Sequence, residues 1–200
     1  MNYKRIDPVI LPKDKFIGHP QAPITLMEFG DYECESALDN DLIVREVLQR
    51  FPGLVRFNYR HFPLLKIHQR AHKAAEAAIA AAQVGKFAQM HDLMLRNRRH
   101  LGAASLALYA KELGISAINF LDALSGGRYG QYVQDDLVCG MKLGVKEVPS
   151  FFVNGEKLKG RITIRNLGEQ IEAVCDKVRT AVKPKTTEIH ARKVAGVQMM

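Results

Sequence analysis

Cysteine is scarce in this 200-residue chain, and its placement excludes more than its number does. The three residues, Cys34, Cys139 and Cys175, are an odd count without paired spacing. That pattern argues against a disulfide-stapled secreted framework and against a cysteine-based zinc module. Long apolar runs are also missing. The opening stretch Met1 to Pro8 has no signal-peptide core, and no later segment approaches the ~20 apolar residues of a membrane span. The expectation is therefore a protein of the reducing cytoplasm without a membrane span. No internal repeat is visible. The net charge of +8 favours acidic partners, but the basic residues are not interleaved with aromatics, so no nucleic-acid partner is expected.

What is present suffices for a sizeable core. Hydrophobic residues make up 47% of the chain and charged residues 25%, which fits one globular domain or one domain carrying an insertion. Ile24 to Phe29 reads as a buried strand. Leu38 to Phe51 repeats apolar residues at helical spacing until Pro52-Gly53 stops it. Leu54 to Phe62 reads as a second strand, completing a strand-helix-strand unit of parallel-sheet type. A helical block follows: His68 to Val84, Lys86 to Arg96, Ser105 to Leu113, Ala117 to Leu124 and Asp135 to Leu143. Then come two short strands, Ser150 to Val153 and Lys157 to Lys159, around the hairpin dipeptide Asn154-Gly155. Ile164 to Val178 is the closing helix. The termini, up to about Phe16 and after about Thr180, are expected to be loosely held.

Cys34 stands between the first strand and the first helix, in Phe29-Gly30-Asp31-Tyr32-Glu33-Cys34-Glu35-Ser36-Ala37. The free N–H groups and positive dipole end of a following helix stabilise a thiolate, so this position proposes a nucleophile. The residue three further on is Ala37, so no disulfide can form within the motif. Glu35 opposes the dipole. The thiol pKa is accordingly expected below that of free cysteine, though not at the acidic extreme. Ser36 is a weak donor toward the sulfur or a helix-start residue.

The order of elements and several strings resemble the DsbA-like branch of the thioredoxin superfamily. The strings are Ala22-Pro23-Ile24-Thr25-Leu26, Glu28 to Cys34, Arg60-His61-Phe62-Pro63-Leu64, Ala71 to Ala78, Gly85-Lys86-Phe87, Met90-His91-Asp92-Leu93, Gly144-Val145 and Val148 to Gly155. The resemblance covers about residues 18 to 178. It implies an α/β thioredoxin-like fold with an inserted all-helical domain. The N-terminal extension would be 1–17, the core 18–66 plus 145–180, the insertion 67–144 and a basic tail 181–200. It also implies that Pro149, preceded by Val148, occupies the position of the family's cis-proline at the substrate edge. The usual second cysteine of the motif is absent. Ala37 is either the natural residue or an engineered replacement, and in the second case the parent is a dithiol enzyme.

The remaining candidates have plainer readings. Cys139 and Cys175 are expected in the core, with pairing of Cys139 to Cys34 as the alternative. His61 is expected to be a structural hydrogen-bonding residue, or else a polar neighbour of the site. His68, His72 and His91 form no metalloprotease-type set, and no metal or bound cofactor is expected. Met27, Met90, Met94 and Met141 read as core filler. Three functions fit: a monothiol thiol-disulfide oxidoreductase whose mixed disulfides on Cys34 are released by an outside thiol such as glutathione; a redox-inactive module binding peptides along Val148-Pro149; and a glutathione-linked transferase with Ser36 as donor.

Overall fold

The computed structural model describes residues 11–181, with side chains as far as Lys177. The expected basic tail and the first ten residues lie outside the described residues. Five strands form one mixed sheet in the order β1-β3-β2-β4-β5.

Its centre is β2 (Ile24–Gly30), which runs parallel to β3 (Val55–His61) from Ile24↔Val55 to Gly30↔His61. Between them lies α1 (Ala37–Arg50), ended where Gly53 turns the chain with φ +71°. The hairpin of β4 (Ser150–Val153) and β5 (Glu156–Lys157) adds antiparallel to the other edge of β2, with Leu26 opposite Val153 and Phe29 opposite Ser150. Asn154 and Gly155 both take positive φ, the conformation a two-residue hairpin turn demands. The Asn154 side chain then accepts the Thr25 N–H at 2.7 Å.

On the other edge the chain is tied down earlier than its composition suggests. A short 3-10 turn (Pro12–Asp14) leads into β1 (Ile17–Gly18), antiparallel to β3. The buried Asn58 amide donates to the carbonyls of Pro12 at 2.8 Å and Lys15 at 2.6 Å. The extension is thus part of the sheet edge from Leu11 onward.

Strand alternation gives the sheet two unlike faces. Ile24, Leu26, Val55, Phe57, Tyr59, Phe151 and Val153 point into the main core, together with residues of α1 and of α7 (Ile164–Ala181). Phe29, Phe62, Val145 and Phe152 form a smaller cluster, against which Leu137 and Cys139 pack.

The helical block is α2 (Ala71–Ala82), α3 (Phe87–Arg96), α4 (Ala103–Glu112), α5 (Ala117–Ser125) and α6 (Gly130–Lys142). Helix α2 is its axis. Nearly every residue of α2 is buried and most are alanine, so helices on all sides can approach it closely. Helix α6 starts five residues before the sequence pattern suggests and returns the chain to the sheet. Gly140 is the contact point: a Cβ there would stand 2.6 Å from the Phe62 ring and 3.0 Å from the Phe29 ring. Two buried aromatic rings cannot yield cheaply. Gly140→Ala is therefore expected to destabilise by about 1–2 kcal/mol net, overpacking outweighing the gain in helix propensity. Urea unfolding with an unchanged m-value checks this.

Candidate active site

The carboxyl ends of β2 and β3 and the start of β4 lie at one end of the sheet. Three loops therefore emerge there: 31–36, 62–70 and 145–149. This is where parallel strands usually present ligand-binding loops.

Asp31 joins the first two loops. Its carboxylate is fully buried; Oδ1 accepts the Glu33 N–H at 2.8 Å and Oδ2 accepts the Leu64 N–H at 2.7 Å. The same Oδ2 faces His68 Nδ1 at 2.9 Å. Cys34 follows on the turn, half-buried, with its N–H bonded to the Asp31 carbonyl and its own carbonyl accepting the Ala37 N–H. Gly30, just upstream, has the Tyr59 side chain where its own would start: an added Cβ would stand 2.5 Å from the hydroxyl and 2.6 Å from the ring. No other residue fits there.

The electrostatics overturn the expected acidity of the thiol. Burial first, then the charges of Asp31 and Glu28, push the Cys34 thiol up to about 11, with Arg98 opposing. Two misplacements explain the error. Helix α1 begins at Ala37 with Ser36 as its cap residue, so the sulfur precedes the helix end by most of a turn, and dipole effects fade over that distance. Glu35 is not the opposing charge either: its side chain is 90% exposed and 3.7 Å from Arg98. Glu28 matters more. It shares the inward face with Ile24 and Leu26, and burial followed by the Asp41 charge lifts its carboxyl to about 8. Ser36 is exposed and makes no capping bond with its side chain, whereas Ala37 is buried in the main core.

Beneath the loop lies a buried polar and aromatic cluster. Tyr32 Oη bonds His91 Nδ1 at 2.9 Å, and His91 Nε2 stands 3.6 Å from Asp41. Burial raises the Asp41 pKa, but hydrogen bonds and charge from His91 and Arg45 outweigh it and hold the carboxyl below its ordinary value. His61 packs its ring on Tyr32 and Tyr59. It does not take the expected hydrogen-bonding role: neither ring nitrogen has a partner among the described residues. Burial, then the charges of His91, Arg60 and His72, push the His61 pKa down to about 3, leaving a neutral ring. Its backbone N–H instead bonds Asp136, which also pairs with Arg60.

Val148 and Pro149 are half-buried beside the start of β4, and the bond between them is cis. All three cysteines are free thiols. Cys34 packs against the main core and Cys139 against the Phe29-Phe62-Phe152 cluster, so the two are anchored in different apolar clusters. Cys175 packs on the main core. Met90 and Met94 fill the core as expected and Met27 is partly buried, but Met141 is 52% exposed. The three histidines go separate ways: His68 to Asp31, His72 to Glu76 at 3.2 Å, His91 into the buried cluster. Asp31, Glu28 and Arg98 were missed by the sequence reading. Inward alternation marks Glu28; nothing local marks Arg98, which comes from the insertion.

A mixed sheet with a cysteine-bearing turn after its central strand and a cis-proline before the next strand defines a thioredoxin-like protein. The profile of the family described as Thioredoxin matches residues 11–173, and the chain belongs to that family. The inserted helices make it DsbA-like in fold. BdbD from Bacillus subtilis superposes with a TM-score of 0.71 at 21% identity, covering 83% of this chain and 94% of that one. Alpha-DsbA1 from Wolbachia pipientis superposes with 0.73 at 18%, covering 86% and 96%. In sequence, the chain is 32% identical over 191 residues to the Na(+)/H(+) antiporter NhaA 1 of Salinispora arenicola. That match covers 96% of this chain but 29% of the relative, so the chain spans less than a third of the curated protein it matches. Among the described residues, no helix is long and apolar enough to cross a membrane.

Proposed function

We propose that the protein acts as a single-cysteine thiol-disulfide oxidoreductase. Cys34 forms a mixed disulfide with one half of a disulfide-bearing substrate, and an outside thiol of the glutathione class attacks that bond and releases Cys34 as a thiol, which suits a reducing compartment such as the cytoplasm. The supporting observation is the absence of a resolving thiol on a DsbA-like fold: Ala37 fills that position and Cys139 packs into a different apolar cluster. In this reading the Val148-Pro149 segment receives the substrate backbone. The bookkeeping is simple. Cys34 thiolate attacks an oxidised disulfide, its sulfur bonds one half, and the other half leaves as a thiolate that takes up the proton.

A basic thiol shapes the kinetics of such a site. It attacks slowly because little thiolate is present, and it is a poor leaving group once bonded. The mixed disulfide is therefore slow to form and long-lived, a property of a protein that holds its partner rather than one that turns over quickly. The test is mass spectrometry after incubation with oxidised glutathione. One adduct on Cys34 that disappears with Cys34→Ser is expected; adducts confined to Cys139 or Cys175 would refute the reading. The raised thiol pKa also favours a second reading, a peptide-binding module without redox turnover. That reading requires Cys34→Ser to bind peptides as tightly as the parent chain.

A further inference from the structure

We propose that Asp31, Cys34 and His68 form a three-ligand site for a transition-metal dication of the zinc class. One carboxylate oxygen, one sulfur and one ring nitrogen from three positions of two loops lie within 4.8 Å of one another. A tetrahedral ion bound at ~2.0–2.3 Å separates its ligands by about 3.5 Å. The Asp31 oxygen and His68 nitrogen are 2.9 Å apart, a hydrogen-bond distance that opens slightly to admit an ion, and the sulfur on its half-buried turn completes the triad within 4.8 Å.

The donor set selects the ion. Calcium and magnesium take oxygen ligands in larger number, and copper(I) prefers sulfur throughout. A mixed oxygen, nitrogen and sulfur triad suits zinc, and three protein ligands with a fourth position open to solvent match the composition of catalytic zinc sites. Asp31 is also built as a ligating carboxylate is. Two backbone N–H groups, from Glu33 and Leu64, fix its oxygens before any cation arrives, which is how outer hydrogen bonds orient metal ligands. The Leu64 bond already ties the two loops together, so the His68 ring is not the sole tie between them.

The charges that act on the sulfur are those of Asp31 and Arg98, with the buried Glu28 joining them only as pH rises past about 8. The site therefore stands on its ligands and their geometry. Binding releases the thiol proton, and the coordinating ring nitrogen presents its lone pair to the ion. Nothing is oxidised or reduced. The inference does not rest on the disulfide chemistry above, because a bound cation would cap the same sulfur against disulfides.

The experiment uses the full chain with Cys139→Ser and Cys175→Ser, stripped by a chelator and titrated with cobalt(II) and then zinc(II). One equivalent of cobalt should give the near-ultraviolet sulfur-to-cobalt charge-transfer band, and zinc should abolish it. Measured by competition with a chromophoric chelator, zinc affinity should fall by at least about 100-fold in Cys34→Ser and in His68→Ala, since losing a ligand exceeds the 10–100-fold loss of an outer-shell partner. His68 is a partly exposed loop residue, so its variant tests the site without disturbing the core. Absence of the charge-transfer band, or equal zinc affinity in parent and variants, overturns the proposal. Those readouts are independent of any glutathione adduct, so failure here leaves the disulfide reading standing, and the reverse also holds.

Discussion

Metal-free protein at neutral pH should alkylate at Cys34 with iodoacetamide more than tenfold more slowly than an unstructured cysteine, and its rate should still be climbing above pH 10. With the thiol near 11 against about 8.5 for a free thiol, the thiolate fraction at neutral pH falls by ~300-fold. A more basic thiolate is intrinsically more nucleophilic, which recovers about tenfold of that. The remainder is a deficit of about thirtyfold before steric shielding is counted. Burial is the largest cause and should persist in every variant that folds. The Asp31 and Glu28 contributions differ in kind, because Glu28 carries no charge until pH passes about 8. Its repulsion therefore adds to that of Asp31 only on the alkaline limb, and Glu28→Gln should lower the midpoint there. A midpoint at or below about 8.5 would mean that neither burial nor neighbouring charge governs this sulfur.

Glu28 should also make its own large contribution to the pH dependence of stability. Its carboxyl titrates near 8 in the folded chain and near 4.3 in an unfolded one. Between those values the folded state holds one more proton than the unfolded state. Stability is thus fully supported below the lower pKa and is lost as pH rises through the upper one, by about 1.4 kcal/mol per pH unit and roughly 3–5 kcal/mol in all. Glu28→Gln keeps the size of the side chain and removes the titration. Urea unfolding from pH 5 to 8.5 should show the variant gaining on the parent at about that slope. Parallel curves for the two proteins would show that Glu28 ionises without penalty.

Much of this arrangement is legible in the sequence. A buried apolar run marked β2, period-2 alternation marked β3, helical spacing marked α1 and α7, and Asn154-Gly155 marked the hairpin. Each of these is local, so each could be read locally. The strings around Cys34 and Pro149 lie at one end of the sheet, as the resemblance implied. The thiol's acidity was misjudged because it depends on atoms distant in sequence: the exact start of α1, the depth of burial, and Glu28 reaching it through the core rather than Glu35 beside it. The partnership of His68 with Asp31 spans 37 residues and left no periodic signature. Ser36 and Glu35, adjacent to the sulfur in sequence, turned out to face solvent.

The alanine at the resolving position has a kinetic meaning. With Ala37 in place of a thiol three residues on, an adduct formed by the proposed chemistry would leave Cys34 through collision with another molecule. The lifetime of any such adduct is then set by the concentration of thiols in the surrounding solution rather than by a rate constant internal to the protein. Bound and free populations would follow that concentration as a dial follows a current, so the lone sulfur would report the state of its thiol pool.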